Sequence, residues 1–170
     1  MKYPLLLLIL TCFVLVHCTN APTSSQAAIG PVENQVLAVL NNPETQFFYT
    51  TDKIPTELLE KVSQSAGYAA IADFSMANRD EDFQDGCCSI MTKLLPSRRL
   101  IFMAALQERK VLYYESAGLA HSMTLCYAEK KDGQYNYYQG GLNGIEDYTN
   151  LEQVKLAIKE ARFLVDKEKG

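Results

Sequence analysis

One continuous stretch, residues 98–141, constrains the fold of this chain more than any other. It contains four runs rich in aromatic and β-branched residues, separated by short polar or glycine-bearing breaks at 107–109, 116–119 and 131–133. Runs of this composition, with so few residues between them, are typical of antiparallel strands joined by tight turns. The stretch therefore predicts a β-meander of about four strands.

The side-chain pattern along these runs indicates which faces are buried. In the third run, Met123, Leu125 and Tyr127 alternate with residues of the opposite parity, as expected for a strand with two different faces. The first run, residues 100–106, is apolar at both parities, so it is predicted to be central or covered on both faces.

Helices are predicted on either side of this stretch. Residues 31–41, 55–66 and 150–165 each carry apolar side chains at helical spacing. Pro31 suits a first helical position, and Asn150 suits a helix cap. A short strand is predicted at 46–50.

The elements together predict the fold class. An antiparallel sheet with helices available packs one face against them and leaves the other face wetter. We therefore predict an α+β fold: an antiparallel meander of about four strands (98–141) with helices packed on one face. The chain of 170 residues, with 48% hydrophobic and 21% charged residues, is typical of a globular protein, and a single domain is predicted at 31–166.

The charge balance excludes one class of partner. The formal net charge is −4, and the basic pairs Arg98-Arg99 and Lys130-Lys131 are too small to form a basic surface. Binding to nucleic acid needs clustered lysines and arginines that neutralise phosphates. No nucleic-acid partner is predicted.

The N-terminal segment predicts export. Lys2 is followed by an uncharged apolar run, residues 5–16, which suits a secretory signal peptide. The run is shorter than the roughly 20 residues that a membrane-spanning helix needs. A transmembrane anchor is therefore not predicted.

The end of this run resembles a known signal. The sequence Leu15-Val16-His17-Cys18 resembles the lipobox of bacterial lipoproteins, although His17 stands where that family prefers a small residue. The resemblance implies that residues 1–18 are a lipoprotein-like signal peptide and that Cys18 is the site of lipidation. Residues 19–30, small and polar, would then form a flexible tether. The implied location is the cell envelope, lipid-anchored on the periplasmic or outer surface. Cleavage after Ala27, which would give a secreted protein, is the alternative.

Three cysteines remain after the signal: Cys87, Cys88 and Cys126. In an oxidising compartment, a disulfide from Cys126 to either Cys87 or Cys88 is expected, and it would close a loop of roughly forty residues. The alternatives are that all three thiols are free, or that they are redox-active, with a bridge between Cys87 and Cys88 as one possibility. The mature chain offers one histidine and no paired ligand spacing, so no metal and no cofactor are predicted.

His121 is that single histidine, and it is the one candidate for catalysis. Across a hairpin it could lie beside Glu115, which is the arrangement that a general base needs. Ser116 and Ser122 are candidate nucleophiles, but no nucleophile motif surrounds them. Cys126 has the opposite parity to His121 on the same run. A small hydrolase or transferase using His121 with Glu115 or a thiol is the alternative function.

The tyrosines favour a different function. They are concentrated in three adjacent runs, and tyrosine provides a rigid contact area with a polar tip. Aromatic pairing that only stabilises the sheet is the other interpretation. We predict a non-enzymatic binding module for an unknown protein or small-molecule ligand. The candidate surface residues are Tyr113, Tyr114, Tyr135, Tyr137 and Tyr138.

Overall fold

The computed structural model describes residues 29–84, 95–117, 121–142 and 148–166. Its strands form one six-stranded antiparallel sheet in which each strand pairs with the next one along the chain. No helix within the described ranges is long and apolar enough to cross a membrane. The elements are α1 (Pro31–Asn41), β1 (Gln46–Phe48), α2 (Thr56–Ser65), β2 (Arg98–Leu106), β3 (Arg109–Ser116), β4 (Ser122–Lys131), β5 (Gln134–Leu142), α3 (Leu151–Lys159) and β6 (Phe163–Asp166), with single 3₁₀ turns at Thr51–Lys53 and Ile71–Asp73.

Tight turns create the meander. β4 and β5 are joined by Asp132 and Gly133, which have φ values of 52° and 80°. Positive φ at both positions defines a type I′ turn, whose twist matches that of the paired strands. β2 and β3 are joined by Gln107 and Glu108, and Gln107 also has a positive φ of 52°. The predicted meander is confirmed, with strand ends close to the predicted breaks.

A β-bulge interrupts the pairing of β2 with β3. Ile101 is an extra residue between Leu100 and Phe102, and the register shifts at this point. Ile101 and Phe102 consequently face the same side of the sheet, where both are buried. In a regular ladder Leu100 would lie opposite Glu115, whereas the bulge brings Arg99 to that position.

Both faces of the sheet are covered. α1 and α3 pack on one face, where Val36, Leu125 and Ile158 belong to a single buried cluster. α2 packs on the other face, where Leu58 and Leu112 belong to a second cluster. The predicted α+β class, with an antiparallel meander packed against helices, is confirmed. The prediction placed helices on one face. The structure adds α2 on the other, because β2 to β4 carry apolar side chains at both parities.

The C-terminal helix ends earlier than predicted. α3 stops at Lys159, and Ala161 adopts φ 54° just beyond it. The amide of Arg162 donates to the carbonyl of Ala157 (2.9 Å), which is the bond of a Schellman motif. The predicted continuation to residue 165 is wrong, because β6 pairs with the free edge of β5 instead.

The predictions for the signal segment 1–18 and for most of the tether 19–30 lie outside the described residues.

Candidate functional site

The two side chains proposed to act together, His121 and Glu115, are in contact. The Nε2 atom of His121 lies 2.7 Å from Oε2 of Glu115. The register of the sheet explains the contact, because Glu115 near the end of β3 lies opposite Met123, and His121 comes two residues before Met123. Glu115, His121 and Met123 therefore occupy positions on the sheet face that α1 and α3 cover.

Arg99 completes this cluster. Its Nε donates to Oε1 of Glu115 at 2.6 Å, so each carboxylate oxygen has a cationic or polar partner. The side chain of Glu115 is only 5% exposed, while those of Arg99 and His121 are about a third exposed at 32% and 34%. A buried carboxylate is strongly destabilising unless it is paired and hydrogen-bonded. Arg99 therefore pairs with the buried side chain of Glu115, and His121 contacts the same side chain from a more exposed position.

Arg99 also joins a neighbouring segment to the cluster. Its guanidinium lies 4.3 Å from the centre of the Phe83 ring, a cation–π contact. The segment that leads to Phe83 bridges to β2 through Ala77, whose amide donates to the carbonyl of Arg98. Sequence reasoning did not find Arg99, because a regular hairpin places it opposite Ser116 instead of Glu115.

The nucleophiles considered from the sequence that the structure describes, Ser116, Ser122 and Cys126, do not join this cluster. Ser116 and Ser122 lie opposite each other, with the parity of the other sheet face. Cys126 belongs to the buried cluster on that other face. Cys87 and Cys88 lie outside the described residues. The cluster of His121, Glu115 and Arg99 itself contains no hydroxyl or thiol nucleophile.

Cys126 is a free, buried thiol. Its Sγ lies 3.1 Å from the hydroxyl of Tyr137, and burial raises the pKa of the thiol to about 12. The expected disulfide from Cys126 to Cys87 or Cys88 is therefore not formed in this structure. The physical reason is that Cys126 points into the core beneath α2, where it packs among apolar side chains.

Two of the five candidate surface tyrosines are in the interior. Tyr113 is 0% exposed and Tyr114 is 2% exposed. Each lies in a different core cluster, because both faces of β3 are covered. They cannot form a contact surface in this conformation, so the surface prediction is corrected for these two residues.

The other three tyrosines lie on β5 and are partly exposed. The hydroxyl of Tyr137 donates to the side-chain carbonyl of Gln139, and burial raises the pKa of Tyr137 far above its usual range. The hydroxyl of Tyr137 is therefore engaged with Gln139 and Cys126 on the sheet face beneath α2. Tyr135 lies on the same face under the ammonium of Lys130, 5.4 Å from the ring centre. Tyr138 lies on the opposite face and packs against the core cluster there.

Within the described residues, β6 covers only part of the outer edge of β5. β6 pairs with residues 139–142 of β5, and within the described ranges no strand pairs with the outer side of residues 134–138. In the hairpin, Lys131 pairs with Gln134 next to a two-residue turn. Hydrogen-bonded pairs then recur at every second residue, so the amides and carbonyls of Tyr135 and Tyr137 point outward.

No three His, Cys, Asp or Glu side chains converge on a possible metal site in the part of the chain that the structure describes.

Comparisons of this chain with protein-family models, with curated proteins and with solved structures found no match.

Proposed function

We propose that this protein is an exported, lipid-anchored envelope protein that acts as a binding module. The apolar segment 5–16 and Cys18 support export and anchoring, and the small polar residues of 19–30 support a tether. A diacylated, N-acylated cysteine would anchor the domain more firmly than a single acyl chain can.

The outer edge of β5 at residues 134–138, which no described strand covers, is the observation that carries the binding proposal. Outward amides and carbonyls at Tyr135 and Tyr137 can pair with an extended segment of a partner, which would add a strand to the sheet. Tyr135 and Tyr138 flank that edge on opposite faces and supply rigid aromatic contact area. The partner is therefore a protein with an extended segment.

A pull-down from envelope extract tests this proposal. Tyr135→Pro removes one outward amide without removing a bond to β4, because Pro lacks the N–H. The wild-type chain should capture a partner, and Tyr135→Pro should lose it. Tyr49→Ala is the matched control, since Tyr49 is 43% exposed and lies away from β5. Equal capture by all three chains, or no capture by the wild type, contradicts the proposal.

Anchoring has its own test. Metabolic labelling with a palmitate analogue should label the wild-type protein and not Cys18→Ala. A wild-type protein that stays unlabelled would favour plain secretion.

A second function is favoured by the contact between His121 Nε2 and Glu115 Oε2 at 2.7 Å. With water as the nucleophile, His121 would act as a general base in a small hydrolase. A screen with ester and phosphate-ester substrates tests this, with His121→Gln as the inactive variant. Turnover that His121→Gln retains would exclude the role.

A further inference from the structure

Arg98, at the start of β2, is held in one position on the sheet face that α2 covers. Its guanidinium carbon lies 4.4 Å from the centre of the Phe74 ring and 4.7 Å from the centre of the Tyr68 ring. Its terminal nitrogens donate to the hydroxyls of Tyr68 (2.8 Å) and Ser97 (3.1 Å). Phe74 is itself buried in the core cluster of this face. The two rings and the two hydroxyls therefore fix the direction of the guanidinium.

The charge of Arg98 has no counter-ion in the part of the chain that the structure describes. No carboxylate there lies within ion-pair distance of the guanidinium. Glu115 is on the neighbouring strand, but it faces the other side of the sheet and is paired with Arg99 and His121. Asp73 is exposed and forms no ion pair with Arg98. Because Arg98 is partly buried, an anion that binds beside it would stabilise its charge.

Two serines continue this polar surface across the sheet. Ser116 of β3 lies directly opposite Arg98, and Ser122 of β4 lies directly opposite Ser116. Side chains at directly opposite positions face the same side of a sheet, with Cβ atoms about 4.5–5.5 Å apart. Ser122 is exposed and Ser116 is partly buried, so a ligand can reach this row from solvent. Each serine hydroxyl can turn its proton toward an acceptor.

The donors and the charge of this row indicate the kind of anion. A guanidinium has more N–H donors than the two that Arg98 uses for Tyr68 and Ser97. The remaining N–H groups and the two serine hydroxyls suffice for the roughly four acceptor positions of a carboxylate. The single positive charge of Arg98 matches the single negative charge of that group, whereas a phosphate dianion would keep one charge unpaired.

We propose that the row of Arg98, Ser116 and Ser122 binds the carboxylate of a small polar ligand. The carboxylate lies on the guanidinium and accepts hydrogen bonds from the serine hydroxyls. The next residue of this face along β4 is Thr124, which pairs with Gly141 at the end of β5 that β6 covers. The site is therefore separate from residues 134–138 of β5, and it does not depend on the binding proposal made for that edge.

Titration of the full chain with acetate tests the site, followed by NMR of the Tyr68 ring and of the backbone amides around it. In the wild type, acetate should give shifts that saturate. Arg98→Gln should weaken acetate binding at least about tenfold, the equivalent of one charge-assisted hydrogen bond. Arg79→Gln is the matched control, since Arg79 also lies over a tyrosine ring, 4.9 Å from the centre of Tyr49, and it should leave the affinity unchanged.

The serines give a test that leaves the ring contacts of Arg98 in place. Ser116→Ala and Ser122→Ala should each weaken acetate binding about fivefold, the equivalent of one hydrogen bond, in a chain that stays folded. These two variants decide the matter if Arg98→Gln does not fold.

Two further probes define the ligand class. Inorganic phosphate at pH 8 should bind more weakly than acetate, and methylammonium should cause no saturating shift. Wild-type shifts that do not saturate with acetate, unchanged affinity in both serine variants, or phosphate binding as tight as that of acetate would each overturn the proposal.

Discussion

Raising the pH from 8 to 11 should lower the free energy of unfolding of this protein, and Cys126 should account for a measurable part of the loss. The pKa of the thiol is about 12 in the fold, against an ordinary value of 9.0. Between these two values the unfolded chain has released the thiol proton and the folded chain has kept it. The unfolded state then binds fewer protons, so stability falls as the pH rises, by about 1.4 kcal/mol per pH unit for one such group. From pH 9 to pH 11 the contribution of Cys126 is roughly 2–3 kcal/mol.

Urea unfolding at pH 8, 9, 10 and 11, in the presence of a reductant, measures this loss. The matched variant is Cys126→Ser, which does not titrate in this range and keeps a hydroxyl beside Tyr137. Burial also raises the pKa values of Tyr114 and Tyr137, and Cys126 adds to both shifts, so the difference between the two proteins reports the thiol together with its effect on these two tyrosines. The wild type should lose stability more steeply than Cys126→Ser. Parallel pH dependences would refute the reasoning that Cys126 is a protonated, buried thiol.

Three further predictions concern stability and are measured by urea unfolding at pH 7. Glu115→Gln should lower the free energy of unfolding by about 1.5 kcal/mol, the lower end for hydrogen bonds to charged groups, because Arg99 and His121 are each a third exposed. The control Glu60→Gln, on the exposed side of α2, should leave the free energy of unfolding almost unchanged. Equal losses in the two variants would contradict a structural role for the ion pair. Ile158→Ala, at a site with 0% exposure, should cost about 2–5 kcal/mol, whereas Leu156→Ala in the same helix, at 54% exposure, should cost less than about 0.5 kcal/mol. Ala161→Gly should stabilise the protein by roughly 0.5–1 kcal/mol, because φ 54° strains alanine and not glycine; a destabilised variant would show that the strain is absent.

The parts of the fold that were predictable from the sequence depend on local signals. The Asp132-Gly133 turn, the proline that opens α1 and the alternation along β4 each act within a few residues. The position of α2 and the pairing of β6 depend instead on contacts with parts of the sheet that are distant in sequence. Residues 163–166 fit a helix by spacing, and the free edge of β5 decides that they form a strand.

The candidate site likewise contains one contact that local sequence signals predicted and one that they did not. The contact of His121 with Glu115 was within reach of sequence reasoning, because the two residues flank one short connection between paired strands. Arg99 was not, because its position depends on a bulge that no pattern of alternation marks. The burial of Tyr113 and Tyr114 was missed because only the first run had been recognised as covered on both faces, although the same coverage extends to β3.

The bulge makes strand β2 tolerant of a change in length at one position. Deleting Ile101 would join Leu100 directly to Phe102, and the ladder would become regular while Arg99 still met Glu115. Ile101 is only 3% exposed, so the deletion would remove a buried side chain, but the partners across the sheet would stay the same. A deletion between the bulge and the turn into β3 would instead shift the pairing of Arg99 and Leu100 by one residue along β3. Each side chain would then point to the opposite face of the sheet, and the guanidinium of Arg99 would enter the apolar core beneath α2.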